Sequence, residues 1–173
     1  HLSKRYDDRQ ISEVRRRVIG TITASYDFLA LYARTEEWNP EMEAPARANR
    51  EPLDRWILSR AARCAEECVT AFAELEPGRA LREMETLVVD EISNWYIRRN
   101  RRRFWDSENR SSQMAAFATL HEALLTVVKL MAPVAPFLAD GLWTRLGESG
   151  TVHLAAYPNP VAGEGGLSST DRD

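Results

Sequence analysis

Leu53, Ile57, Ala61, Cys64, Cys68, Phe72 and Leu75 follow one another at steps of three or four residues, with no proline or glycine among them. Steps of that size return to one face of a 3.6-residue helix. The stretch therefore predicts a long helix with a single apolar stripe, and such a stripe has to be buried against another element. No alternating strand pattern of useful length competes with it, while further stretches repeat the same period. The fold class that follows is all-α, an antiparallel bundle of about five helices.

The other helices are placed in the same way. A first helix is expected from about Ile11 to Tyr32, with Ile11, Val14, Val18, Ile22, Leu29 and Tyr32 near one face. Thr35 to Arg50 is polar, contains Pro40 and Pro45, and reads as a long surface loop. Asn49 is the expected N-cap of the Leu53 helix, with Pro52 tolerated in its first turn and Glu76-Pro77-Gly78 ending it. A third helix carries Leu81, Met84, Val88, Ile92 and Trp95 on its apolar face. After a polar break from Asp106 to Ser112, a fourth helix uses Phe117, Leu120, Leu124, Val127 and Met131. Ala132-Pro133-Val134-Ala135-Pro136 forces a bend before a short fifth helix, Phe137 to Leu146, stopped by Gly147. Thr151 to Leu154 is expected to be extended, which gives an N-terminal extension over 1–10, a helical domain over 11–158 and a flexible tail over 159–173.

No apolar run approaches the roughly 18 residues that span a bilayer, and the polar start, His1 to Asp8, carries no signal peptide. With His1 in place of an initiator Met, the chain reads as a piece of a longer protein. Cys64 and Cys68 point to a reducing, cytoplasmic setting; both fall on the buried stripe, and two thiols are too few for a structural zinc site. No metal or cofactor is expected. His121 has no partner at a helpful spacing and is expected on the surface or half-buried; Asp90-Glu91 reads as solvated charge, and no Gly-rich phosphate loop is present. A catalytic centre is not visible.

Net charge is −3, so what matters is where the positive charge sits. Arg98, Arg99, Arg101, Arg102 and Arg103 fall within six residues, inside Asn94-Trp95-Tyr96-Ile97-Arg98-Arg99-Asn100-Arg101-Arg102-Arg103-Phe104-Trp105. Arginine forks bind phosphates, and unpaired bases stack on aromatic rings or guanidinium planes. Five arginines so close repel one another unless a polyanion or several carboxylates stand opposite. On helical spacing Arg98 and Arg102 share a face, as do Arg99 and Arg103. Trp95 continues the apolar stripe and is expected in the core, whereas Trp105 lies beyond it and is the expected exposed ring; Tyr96 fits either environment. The candidate RNA contacts are Asn94, Tyr96, Arg98, Arg99, Arg101, Arg102, Arg103 and Trp105.

The Asn94–Trp105 tract resembles a signature of the isoleucyl-tRNA synthetase family, in which Ser-Asn-Trp-Tyr leads into an arginine run closed by Phe-Trp. Tyr26-Asp27-Phe28-Leu29-Ala30-Leu31-Tyr32-Ala33, Leu53-Asp54-Arg55-Trp56-Ile57-Leu58-Ser59-Arg60, Met131-Ala132-Pro133-Val134-Ala135-Pro136-Phe137-Leu138-Ala139 and Val152-His153-Leu154 agree with it in order and spacing. Valyl, leucyl and methionyl enzymes share the Leu-Asp-Arg-Trp and Ala-Pro-x-x-Pro-Phe elements, and the arginine run ending in Phe104-Trp105 is what favours the isoleucine family. Tyr157 stands where that family more often has Trp. The resemblance implies the helical anticodon-binding domain, docking on the anticodon stem and loop of isoleucine tRNA beside the rest of the synthetase. The ATP-binding motifs His-Ile-Gly-His and Lys-Met-Ser-Lys-Ser are absent, so ATP, and any Mg that accompanies it, would belong to the parent's catalytic domain.

Two other readings stay open at this point. A DNA-binding helix is suggested by Trp-Tyr with a following Asn and arginines, although Asn100 follows Trp95 by five residues where the homeodomain helix uses three. A protein-interaction bundle would set the arginines against an acidic partner.

Overall fold

The computed structural model describes Asp8, Ser12, Glu13 and residues 15–158. Ile11, Val14, most of the expected N-terminal extension and the expected tail lie outside the described residues. Five helices form one body, and no strand occurs among the described residues. The first, α1, is π-helical over Arg15–Ile19 and α-helical over Gly20–Thr35. Helix α2 is Pro52–Ala73. Residues 77–100 make up α3, followed by a 3₁₀ turn at Arg101–Phe104. Helices α4 and α5 are Arg110–Met131 and Pro136–Arg145. The three-residue link between α2 and α3 folds them back against each other, α2 also lies against α4, and α1 and α5 flank α3 and α4 respectively.

Helix starts follow proline: Pro52, Pro77 and Pro136 each stand in the first turn, where a missing N–H is no loss. Glu51 therefore occupies the N-cap position of α2, and Asn49 ends a separate 3₁₀ turn, Arg47–Asn49. Helix α4 begins at Arg110, two residues before the expected start, because Asn109 Oδ1 accepts the Ser112 N–H at 3.0 Å. Gly147 has φ +92°, the left-handed residue that closes α5. Leu75, expected on the α2 stripe, lies beyond the helix with φ 60° and is exposed.

Helix α3 departs most from simple periodicity. It is α-helical over Pro77–Glu85, π-helical over Thr86–Ile97 and α-helical again over Arg98–Asn100. Ala80, Met84, Val88, Ile92, Tyr96, Asn100 and then Phe104 are all buried, in steps of four. A 3.6-residue winding rotates such a row by about 40° a step; the slacker i→i+5 winding takes up the drift and holds the row against the core. The consequence is a swap at its end: Tyr96 is 0% exposed, and Trp95, expected in the core, is 45% exposed. Leu81, also expected inside, is exposed, because Ala80 takes the buried position in the first turn of α3.

Other departures come from side chains that supply their own partners. Trp38, in the expected surface loop, is buried with its ring stacked on Phe117 at 5.3 Å. Arg50, from the same segment, is buried against Glu122 Oε1 at 2.8 Å and Thr119 Oγ1 at 3.0 Å. His121 is buried, its Nε2 2.8 Å from the Leu146 carbonyl oxygen past the end of α5. Glu91 is half-buried and accepts from Arg60 on α2 at 2.7 Å, so it ties two helices rather than facing solvent. Val152–Leu154 forms a 3₁₀ turn where an extended segment was expected, because Asp140 accepts from both the Thr151 hydroxyl and the Val152 N–H. Cys64 and Cys68 are buried in the core, 3.9 Å apart; the hydrogen bond with Cys68 and burial both push the Cys64 thiol up. Arg110–Met131 is long and apolar enough to cross a membrane, which the count of unbroken apolar residues did not reveal, but 72% of that window is buried within the bundle.

Candidate nucleic-acid interface

The arginine tract divides according to what each guanidinium finds on its own chain. Asp54 is fully buried one position past the start of the α2 stripe, and a buried carboxylate requires a counter-charge. Arg103 supplies it as a fork, Nη1 donating to Oδ1 at 2.9 Å and Nη2 to Oδ2 at 2.8 Å. Its remaining N–H groups go to Asn100 Oδ1 at 2.9 Å, the Ser112 carbonyl at 2.8 Å and Ser112 Oγ at 2.8 Å. All of the five donors a guanidinium owns are thus spent. Burial works against the Arg103 charge, but the hydrogen bonds and attraction of Asp54 outweigh it and leave the group more basic than usual.

Tyr96 completes the cluster, its hydroxyl donating to Asp54 Oδ1 at 2.6 Å. Burial, and then the Asp54 charge, push that phenol well above its ordinary range. Tyr96 and Arg103 were expected to touch RNA. Both are corrected here: the first is fully buried, and the second has no donor left to offer a phosphate. Phe104 is pinned beside them, edge-on to Phe28 at 4.9 Å and Phe117 at 5.0 Å.

The rest of the tract faces out. Asn94, Arg98, Arg99, Arg101 and Arg102 are exposed, and Trp105 is 45% exposed. Arg102 pairs with Asp106 at 3.2 Å, and because the guanidinium is largely solvated the contact is weak and leaves Arg102 open to a competing anion. Arg98, Arg99 and Arg101 make no ion pair with a carboxylate among the described residues. Two of them lie over indoles four residues away: Arg99 is 3.8 Å from the Trp95 ring centre and Arg101 is 6.0 Å from that of Trp105. Trp95 is backed by Trp56 at 6.4 Å, and Trp105 by Tyr32 at 5.5 Å.

Trp95 is the ring on this face that helical periodicity alone misses. Its i,i+4 pairing with Arg99 is the signal that could have found it, since a guanidinium is not drawn over a ring sunk in a core. The arrangement offers cations without carboxylates beside half-exposed rings, which is the combination that holds a phosphate chain with unpaired bases. Among the described residues, no group of three or more His, Cys, Asp or Glu side chains could hold a metal ion.

Residues 54–170 match the family model described as the anticodon-binding domain of tRNA ligase. The chain belongs to that family. The domain is 41% identical over 157 residues to an isoleucine–tRNA ligase of Porphyromonas gingivalis, covering 90% of this chain and 14% of the relative. It is 42% identical over 155 residues to that of Cytophaga hutchinsonii, covering 86% and 14%. With isoleucine–tRNA ligase 2 of Bacillus cereus, identity is 40% over 156 residues, covering 90% and 15%. The domain thus spans about one seventh of the length of these relatives.

Proposed function

We propose that residues 11–158 read the anticodon stem and loop of isoleucine tRNA, as one part of a longer isoleucine–tRNA ligase. The observation that carries this is the unspent half of the tract: Arg98, Arg99 and Arg101 without carboxylate partners, next to the half-exposed rings of Trp95 and Trp105. Arg98, Arg99, Arg101 and Arg102 hold phosphates of the stem and loop, Asn94 offers its amide to a loop base, and the two indoles stack bases. The likeness to isoleucine–tRNA ligases over 90% of the chain supports the choice of amino acid. The parent enzyme then activates isoleucine with ATP and transfers it to tRNA in the cytoplasm. ATP, with any Mg it requires, binds elsewhere in that enzyme, and this domain contributes recognition without catalysis.

Filter binding to an isoleucine-type anticodon stem-loop, a stem-loop with an unrelated anticodon and duplex DNA tests the reading. The expected order places the isoleucine-type loop first. Equal retention of all three, or exchange of pyrophosphate into ATP by this chain alone, would overturn it.

A further inference from the structure

Between α1 and α3, beside the exposed arginines, the surface sinks into an open groove of about 380 Å³. That is the small end of ligand-site volumes, roughly 300–1,000 Å³, and it admits a single nucleotide-sized group rather than a helix or strand. Its apolar lining comes from Phe28 and Ile97, both half-buried, and its polar lining from Ser25, Ser93, Arg98 and Arg101. Ser93 and Ile97 on α3 and Arg101 at the start of the 3₁₀ turn succeed one another in steps of four, the same slack winding that carries Tyr96 inward leaving this row on the α1 side. Wide helical turns of this kind recur at functional sites.

The chemistry of the lining is divided as a nucleotide is. The Phe28 ring and Ile97 offer apolar surface to the faces of a base. The buried Ser25 hydroxyl spends its hydrogen on the Thr21 carbonyl at 2.9 Å, so its oxygen is left to accept from a base edge. Arg98 and Arg101, three residues apart at the end of α3 and the start of the turn after it, have no carboxylate partner among the described residues and stand where a phosphate would follow the base. An acidic side chain would satisfy the arginines but leave the apolar walls and the hydroxyls without a complement. We infer that this groove takes one unpaired nucleotide of the RNA, its base against Phe28 and Ile97 and its phosphate at Arg98 and Arg101. The inference rests on the tRNA reading above and assigns a definite place to one loop base.

Ala24 lines the same groove from an exposed position on α1 with no packing in the core, so Ala24→Trp fills the space while leaving both arginines and their charges in place. The probes are an isoleucine-type stem-loop and derivatives in which each loop base is removed singly. For the unaltered chain, one abasic position should weaken binding by roughly 5- to 150-fold, the value of a stacked base. Ala24→Trp should lose a similar factor on the intact loop, become insensitive to that same abasic position, and keep its melting temperature and salt dependence. Ala24→Ser, which leaves the groove open, should bind as the unaltered chain does. The inference is overturned if Ala24→Trp binds the intact loop normally, or if each missing base costs both proteins equally. Failure of the unaltered chain to prefer the stem-loop over duplex DNA would instead remove the tRNA reading, and this inference with it.

Discussion

Arg103 and Arg98 stand five residues apart in one basic run, yet they belong to different parts of the protein's economy of charge. Arg103 is turned inward by the 3₁₀ turn and meets the buried Asp54 as a fork, with every N–H engaged. Arg98 follows the π-helical stretch directly, on the outside, and meets no carboxylate among the described residues. The difference teaches that an arginine cluster is not one site. One member neutralises an acid on a neighbouring helix and so fixes the end of α3, and that fixed end is what presents the others. The aromatic neighbours divide in the same way: Tyr96 anchors Asp54 from inside while Trp95, one residue earlier, lies half-exposed under Arg99.

The strongest way to break this contrast is to remove the anchor. Asp54→Ala leaves the half-buried Arg103 guanidinium with only the exposed Glu51 carboxylate, 3.3 Å away, and strips the buried Tyr96 hydroxyl of its acceptor carboxylate, a cost that approaches the ~3–5 kcal/mol of a broken buried pair. At roughly 2–4 °C per kcal/mol for a chain of this size, thermal melts should show a loss of many degrees. Arg98→Gln should stay within about 0.5 kcal/mol of the parent, as surface changes do. Equal stability losses from the two substitutions would erase the distinction between the inward and outward arginines.

Smaller effects are expected at the rings. Trp105→Ala and Trp95→Ala should each weaken stem-loop binding by about 1–3 kcal/mol, the worth of a stacked base, while leaving its salt dependence unchanged. Melting curves on the same variants separate this from packing: if the folded fraction of Trp105→Ala binds with full affinity, that ring serves only to cover Tyr32.

The smallest effect sharpens the comparison from the opposite end of the bundle, where Asp140 is a carboxylate satisfied by uncharged donors. The Thr151 hydroxyl, and then the Val152 N–H, hold its pKa below the usual carboxylate range. A depressed folded-state pKa stabilises above the unfolded value, about 3.9, and that stabilisation is lost as pH falls through the folded value. The melting-temperature gap between the parent and Asp140→Asn should therefore narrow as pH drops from about 5 to below about 3. A gap independent of pH would show that the Thr151 contact does not depend on the Asp140 charge.

How far the sequence could be read differs between helices, for physical reasons. The stripes of α2 and α4 are regular, and their residues lie buried where 3.6-residue spacing places them, Ile57 through Cys68 and Phe117 through Met131. Helix α3 misleads because its winding changes midway, which no composition announces, so Trp95 and Tyr96 exchange places. Trp38, Arg50 and His121 are buried through partners far along the chain, Phe117, Glu122 and Leu146, and spacing within one segment carries no information about such contacts. The candidate site was legible as a tract but not as individual roles. Asp54 on the edge of an apolar stripe was the available hint that one arginine would be taken inward.

The central claim is that the outward arginines, and not Arg103, hold phosphates. It is met most directly by the salt dependence of stem-loop binding for the parent and for a variant carrying both Arg98→Gln and Arg101→Gln. Each phosphate contact removed should lower the slope of log K against log salt by roughly 0.7–0.9, so the double variant should lose at least that much while melting like the parent. An unchanged slope in a fully folded double variant would contradict the account, because the cations left exposed on this face would then be facing something other than nucleic acid.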